Sequence, residues 1–409
     1  MSDKAAAEGK AASPEVPIVR PLLGAAETDA VARVIRSGWI TQGPEVARFE
    51  AEFAQAVGAP HAIAVSNCTV GLQLALHVLG VGAGDEVATV SHSFIATANS
   101  VVASGARPVF VDVQASSFGM DPEALERAIT PRTKAILCVH QIGFPCDLPS
   151  ILAVAARRGL PVVEDAACAI GSEVRVGGAL EAIGKPHGVM ACFSFHPRKV
   201  VTTGDGGMLT TADAALAARL RRLRQHAMSV PDTVRHRSKQ VVFEEYAEPA
   251  FNYRMTDLQA AVGRPQLARL PAIVAERRAL ADRYAAALRD NPVVQPPSDP
   301  PWGRVNWQSY PVSMRPGARL SQREILQFLI DRGVACRRGV HNAHQEAAYA
   351  GRDNWTCGHA GCDRLAGGCS HLRESERLRD TTILIPLFHG MREDEQARVI
   401  EVLSELATA

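Results

Sequence analysis

The chain is expected to fold as an α/β protein: a large domain built on a mostly parallel sheet, then a smaller C-terminal α+β domain. Three observations carry this expectation. From His61 to Asp165 short apolar runs alternate with helical patterns, as buried parallel strands with crossover helices do. A Pro-rich stretch, PPSDPPWG at 296–303, separates this series from a second, shorter one. A chain of 409 residues, 47% of them hydrophobic, can bury two cores.

Residues 1–16 are polar and Ala-rich and are expected to be a disordered tail. Helical spacing covers Ala25–Arg36, GWITQGP at 38–44 reads as a loop, and Glu45–Val57 as an amphipathic helix. Strands are expected at 62–65, 86–91, 108–113, 135–140 and 161–164, alternating with helices at 69–79, 96–104, 122–129 and 148–157. Val189–Phe195 reads as a buried strand and Met208–Thr211 as another, joined through the glycines of GDGG at 204–207. Ala-rich helices follow at 212–224 and 256–289, the second interrupted at Pro265 and Pro271. Beyond the Pro-rich stretch come strand 306–314, helix 321–332, strands 334–338 and 382–387, and helix 393–406. The domains are therefore drawn at 17–295 and 296–409, with a Cys-rich insertion at 351–371.

Composition narrows the function. With 44 basic and 43 acidic residues the net charge is +1, without the basic excess of a nucleic-acid or membrane-surface protein. No run of eighteen apolar residues predicts a membrane span, and the N-terminus has no signal-peptide h-region, so a cytoplasmic protein is expected. Nine cysteines, an odd and mostly scattered set, suit reduced thiols better than a disulfide framework.

Only six lysines occur, at 4, 10, 134, 185, 199 and 239. Lys199 alone is held from both sides, by the strand before it and the glycine turn after it. A rigidly placed lysine beyond a strand end suits Schiff-base chemistry, which needs a near-neutral amine that does not wander. Three other groups fall at strand ends, where open parallel sheets bind ligands. Ser66-Asn67-Cys68-Thr69 opens a helix and offers an anion site, or else an ordinary N-cap by Ser66 or Thr69. Phe94 follows a strand and can stack on a flat ring or sit in the core. Asp165 ends an apolar run and needs a partner, either a neighbouring donor or a protonated pyridine nitrogen. Ser194 adds a hydroxyl. An anion site, an aromatic ring, a carboxylate and a lysine match the four parts of pyridoxal phosphate (PLP): phosphate, ring, ring nitrogen and aldehyde.

The segments GWITQGPEVARFE, SNCTVGLQLALHVLGVGAGDEV, FIATANSVVASGARPVFVDV, VVEDAACAIGS, FSFHPRKVVTTGDGGMLTT and FNYRMTDLQAAVGRPQL resemble, in order, those of the DegT/StrS-type sugar aminotransferases. ACRRGVHNAHQEAAY and ILIPLFHGM extend the likeness nearly to the end of the chain. This family has the fold-type I PLP architecture, and the likeness is to perosamine-synthase-type members. The resemblance implies that Lys199 forms the Schiff base with PLP, Asp165 pairs with the pyridine nitrogen and Phe94 stacks on the ring. Cys68, Thr69 and Ser194 would hold the phosphate. Asn252 would reach the phosphate of a partner subunit's cofactor, making a homodimer with shared sites the active unit. Two positions depart from the family's pattern: Cys68 stands where Gly is usual, and Cys168 where Gln usually supports the ring hydroxyl, for which a thiol is a poorer donor. Family dehydratases can carry His in place of the lysine. Here the lysine is kept, and His196 three residues earlier is not its substitute.

The resemblance implies ping-pong transfer of an amino group from an amino acid donor, Glu or Gln, to a nucleotide-linked keto-6-deoxysugar. Keto-cyclitols lie within the family's range. Trp39, Gln42, His196, Arg338 and His341 are candidates to line the substrate space. A PLP-binding regulator without turnover and a PLP enzyme acting at the Cys168 thiol are alternatives. A nicotinamide oxidoreductase is disfavoured because GVGAGD at 80–85 lacks the dinucleotide-binding spacing and follows a helix. Separately, Cys357, Cys362, Cys369 and His371, with His359 nearby, offer a Cys3His zinc set. Their spacing fits no standard zinc motif, and a loop of reduced thiols or one air-formed disulfide are the alternatives.

Overall fold

The computed structural model describes residues 16–350, 354–359, 362 and 368–408. The expected tail, apart from Val16, and residues 351–353, 360, 361 and 363–367 of the insertion lie outside the described residues. Fourteen strands are described: β1 (His61–Val65), β2 (Glu86–Val90), β3 (Arg107–Val111), β4 (Thr133–Val139), β5 (Val162–Asp165), β6 (Glu173–Val176), β7 (Ala179–Ala182), β8 (Met190–Ser194), β9 (Gly207–Thr211), β10 (Val294–Gln295), β11 (Gly303–Arg304), β12 (Tyr310–Met314), β13 (Arg337–Arg338) and β14 (Thr382–Ile385). The helices before the Pro-rich stretch are α1 (Ala25–Ser37), α2 (Pro44–Val57), α3 (Cys68–Val78), α4 (Ala96–Ala103), α5 (Pro122–Ala128), α6 (Leu148–Arg158), α7 (Ala214–Leu223), α8 (Asp232–Arg237), α9 (Asp257–Ala268) and α10 (Leu270–Leu288). After it come α11 (Gln322–Asp331), α12 (Arg373–Thr381) and α13 (Glu393–Glu405).

The main sheet has seven strands in the order β1-β9-β8-β5-β4-β2-β3. β9 is antiparallel to both its neighbours and every other pairing is parallel, so the remaining strands point one way. Their side chains alternate between two cores. Ala62 and Ala64 of β1 face a cluster with Phe49, Phe53 and Phe193, while Ile63 and Val65 face one with Leu72, Leu76 and Leu220. Burial on both faces explains why these strands read as short continuous apolar runs. A four-stranded sheet, β10-β12-β14-β13, and a three-stranded one, β11-β6-β7, complete the chain.

Several boundaries differ from expectation for identifiable reasons. Pro265 sits inside α9 without ending it, whereas Pro271 stands in the first turn of α10, where its missing N–H costs nothing. The β6–β7 hairpin and α12 are not read from the sequence: the hairpin strands are four residues each, and α12 carries one apolar residue, Leu378. Long-range contacts supply what the periodicity does not: the Asp112 carboxylate accepts the Glu374 and Ser375 amides at 3.0 and 2.8 Å, capping α12 from across the fold. α3 is capped by Asn67, whose side-chain oxygen accepts the Val70 amide at 3.1 Å, and not by Ser66 or Thr69.

Candidate active site

The shared strand direction brings four segments to one edge of the sheet. β5 ends in Asp165, which lies level with Val139 of β4 and Cys192 of β8. The segment 91–97 follows β2, 66–69 follows β1, and Lys199 lies five residues past the end of β8.

The chain around Lys199 is locked. Its amide donates to the His196 carbonyl at 2.8 Å. Phe195 binds the returning chain through its amide to Gly206 (2.9 Å) and its carbonyl to the Thr203 amide (3.0 Å) and the Thr202 hydroxyl (2.9 Å). Gly207 must be glycine: a Cβ there would lie 2.7 Å from the Cys68 amide nitrogen and 2.6 Å from the Asn67 carbonyl carbon. The turn thus lets β9 run flush against the start of α3. The Cys68 and Thr69 amides stand in the first turn of α3, where no helical carbonyl lies behind them. The Ser194 side chain is half-buried at the end of β8.

Asp165 is only 5% exposed. The Thr97 hydroxyl donates to its Oδ2 at 2.7 Å and the Ala167 amide to its Oδ1 at 3.2 Å. Burial pushes its pKa above the ordinary carboxylate value despite these donors and the nearby Lys199. The Lys199 Nζ lies 2.9 Å from Cys168 Sγ. Burial alone would lower its pKa, but Cys168, Cys68 and Asp165 outweigh it and leave the amine more basic than usual. Cys168 also anchors Asn306, whose amide donates to the Cys168 and Ile170 carbonyls, each at 2.8 Å. Phe94 is not a core residue: it is 62% exposed, with the ring of His341 edge-on at 5.9 Å. Burial lowers the pKa of His341 and of His196, the latter exposed beside Lys199.

The remaining residues form a second group. Trp39 Nε1 donates to the Gln42 carbonyl at 3.0 Å, and Gln42 Nε2 to Gln225 Oε1 at 3.2 Å. Gln225 in turn bridges to Asn252, and the Tyr253 carbonyl accepts the Ser66 amide at 2.8 Å. Asp257 fastens this loop by accepting the Gly43, Glu45 and Val46 amides at 2.8, 3.2 and 3.0 Å. Asn252 is exposed, and its side chain makes no hydrogen bond among the described residues. Thr69 is also exposed. Arg338 on β13 is exposed, pairs with Glu346 at 3.2 Å and is among the charges that act on His341.

Thr97 and Gln225 escaped the sequence reading. A threonine in the first turn of α4 reads as a routine cap, and only the fold aims it at Asp165. The local sequence carries a faint signal in Ser93 and Thr97, four residues apart, whose hydroxyls bond each other at 2.8 Å.

A buried strand-end carboxylate, a lysine amine, a helix start cleared by a glycine and an exposed ring define one class: fold-type I aminotransferases working with PLP. The residues present fit PLP: a buried carboxylate, a lysine amine, free amides at a helix start and an exposed aromatic ring lie on segments at one edge of the sheet. The DegT/DnrJ/EryC1/StrS aminotransferase family matches residues 21–404, and the chain belongs to it. Among solved structures it is similar to DesV of S. venezuelae in complex with a ketimine intermediate (34% identity, TM-score 0.82, covering 97% of this chain and 100% of that one). It is similar to DesI solved with its TDP-sugar product (28% identity, TM-score 0.83, 97% and 93%). It is also similar to Spr1654 from Streptococcus pneumoniae in its PLP form (25% identity, TM-score 0.84, 96% and 98%). The chain is a sugar aminotransferase, and its cofactor is PLP.

The contact between Cys168 and Lys199 makes a testable statement about pH. Cys168 heads the influences that raise the lysine's pKa against burial. Cys168→Ala therefore moves the titration of the Lys199 amine downward in the cofactor-free protein. The pH dependence of Lys199 acylation, read by peptide mass, checks this. An unchanged profile would show that the thiol does not set the amine's basicity.

Proposed function

We propose that this enzyme transfers an amino group from glutamate or glutamine to a nucleotide-linked keto-6-deoxysugar, in amino-sugar biosynthesis. The observation that carries the reading is the buried Asp165 facing the same strand-end site as Lys199, with the Thr97 hydroxyl fixing the carboxylate. When bound, PLP supplies an aldehyde that captures amines and a ring that accepts electrons. Asp165 holds a proton on the ring nitrogen, and its raised pKa reflects a buried charge awaiting a cationic partner. Lys199 Nζ takes the proton from the donor's α-carbon and returns it, acting as base and then acid. The Cys68 and Thr69 amides and Ser194 bind the phosphate, as helix starts do. Phe94, exposed at the site, covers one face of the ring.

Two subunits share each site in this reading. Asn252, exposed and without a side-chain hydrogen bond among the described residues, serves the partner's cofactor phosphate, and the Trp39–Gln42 loop stands beside it. His341, against Phe94, and His196, beside Lys199, border the sugar. Arg338, exposed and close enough to act on His341, is offered to a nucleotide phosphate. The likeness to DesI, solved in the presence of its TDP-sugar product, supports a nucleotide-linked acceptor.

The test is a screen of the pyridoxamine-phosphate-loaded protein against nucleotide-linked 3-keto and 4-keto sugars and free keto-cyclitols. A nucleotide-linked keto-sugar that consumes the pyridoxamine absorbance identifies the acceptor. Turnover with a keto-cyclitol alone replaces this substrate class, and no reaction with any of them favours a binding role.

A further inference from the structure

We propose that Cys357, Cys362 and Cys369 supply three ligands to a zinc ion, whose fourth position an imidazole of the His359–His371 pair reaches by a side-chain movement. The three thiol sulfurs lie within 4.8 Å of one another, though Cys357 and Cys369 are twelve residues apart. Thiolates bound to one tetrahedral ion at about 2.3 Å stand roughly 3.8 Å from each other, so this convergence is what a shared ion requires. Cys362 Sγ and Cys369 Sγ are already 3.0 Å apart.

The surroundings point the same way. The His359 amide is hydrogen-bonded to Cys357, and the His371 amide to Cys369, each two residues past its cysteine. The His359 and His371 rings, each two residues past a cluster cysteine, stack at 3.8 Å with an 11° angle between planes, outside the 4.8 Å group that the three sulfurs form. Soft sulfur with imidazole selects zinc over hard cations. A disulfide would use two thiols and leave the third without a purpose.

The ion would have a structural task. Thr356, next to Cys357, bridges to the edge strand β3: its carbonyl accepts the Phe110 amide at 2.6 Å and its amide donates to Pro108 at 3.0 Å. Trp355 packs on Phe110 at 5.4 Å. On the other side the Cys369 amide donates to Glu376 Oε1 at 2.7 Å, which also meets His344 Nε2 at 3.0 Å. His344 Nδ1 reaches the Ser91 hydroxyl at 2.6 Å, just past β2 and before Phe94 and Thr97. The metal would therefore clamp the sheet edge and the segment that carries the ring-facing residues.

The experiment uses the full chain purified without chelator from zinc-supplemented cells. Elemental analysis is expected to find one zinc per chain. Titration with 4-chloromercuribenzoate is expected to release it as the cluster's thiols react. The Cys362→Ala/Cys369→Ala variant is expected to lose the metal, while Cys336→Ala, at a buried thiol outside the cluster, keeps it. Wild-type protein without zinc, or zinc retained in full by the double variant, overturns the proposal. Should the double variant fail to fold, the release experiment on the wild-type chain decides alone: mercurial modification without zinc release rejects the site.

Discussion

Lys199→Ala is expected to lower amino transfer by about 10⁴-fold, the upper end of what a positioned general base contributes. The loss is large because no other amine can take over. His196 is exposed, and its side-chain Nδ1 already accepts the Arg198 amide at 3.2 Å, while the remaining lysines lie elsewhere in the sequence. The effect should be chemical and not structural. The loop is held by backbone bonds of Phe195, Thr203 and Gly206, none of which involves the lysine side chain. The variant should therefore keep its thermal stability and still bind PLP, but borohydride should leave no cofactor attached to the chain. Added methylamine should restore part of the rate. Stopped-flow absorbance of the donor half-reaction measures the rate, and turnover near the wild-type value would remove Lys199 from the chemistry.

Asp165→Asn is expected to split function from stability. Activity should fall about 10²–10³-fold, as when one electrostatic partner of a reacting group is removed. Cofactor-free protein should instead become more stable at neutral pH. The sign follows from burial, which raises the pKa of Asp165. A carboxyl more basic in the folded than in the unfolded state binds extra protons when folded. Its destabilising cost is absent below the unfolded value of about 4 and grows as pH rises through the folded value. The asparagine removes that cost; its one carbonyl oxygen accepts the Ala167 amide, and its NH2 donates to the Thr97 hydroxyl, which turns to accept. The gain in Tm should shrink as pH falls toward 4. With PLP bound it should reverse, because the wild-type carboxylate then has its cation. Thermal melts of both forms, with and without cofactor across pH, give the answer. A variant less stable than wild type without cofactor would show that Asp165 is a structural ion and not a site held ready.

The contrast between these two residues shows what the sequence made legible. Lys199 could be found because its placement is local: an apolar strand precedes it and GDGG follows it. Asp165 could be found because a charge after an apolar run is costly wherever the strand goes. The alternating strands were legible because burial on both faces writes continuous apolar runs. Thr97 was not legible, since its contact with Asp165 spans 68 residues of chain and depends on β2 and β5 both flanking β4. The cap of α3 was misplaced because Ser66, Asn67 and Thr69 are all good caps, and only backbone geometry chooses Asn67. The exposure of Phe94 could not be read either, because an aromatic after a strand has the same local pattern in a core as at a site. The three cysteines were visible as a cluster in sequence, but their approach to one point is a property of the loop's path over β3.

The central claim is that Lys199 and Asp165 move an amino group from an amino acid to a nucleotide-linked keto-sugar. The most direct measurement is single-turnover transfer of label. Enzyme is loaded with ¹⁵N-glutamate or ¹⁵N-amino-labelled glutamine, freed of excess donor, and mixed with the keto-sugar found in the screen. The account predicts an amino-sugar nucleotide carrying the ¹⁵N label, in an amount equal to the active sites, and none from Lys199→Ala. Unlabelled product, or label retained on the enzyme with the keto-sugar unchanged, would contradict it.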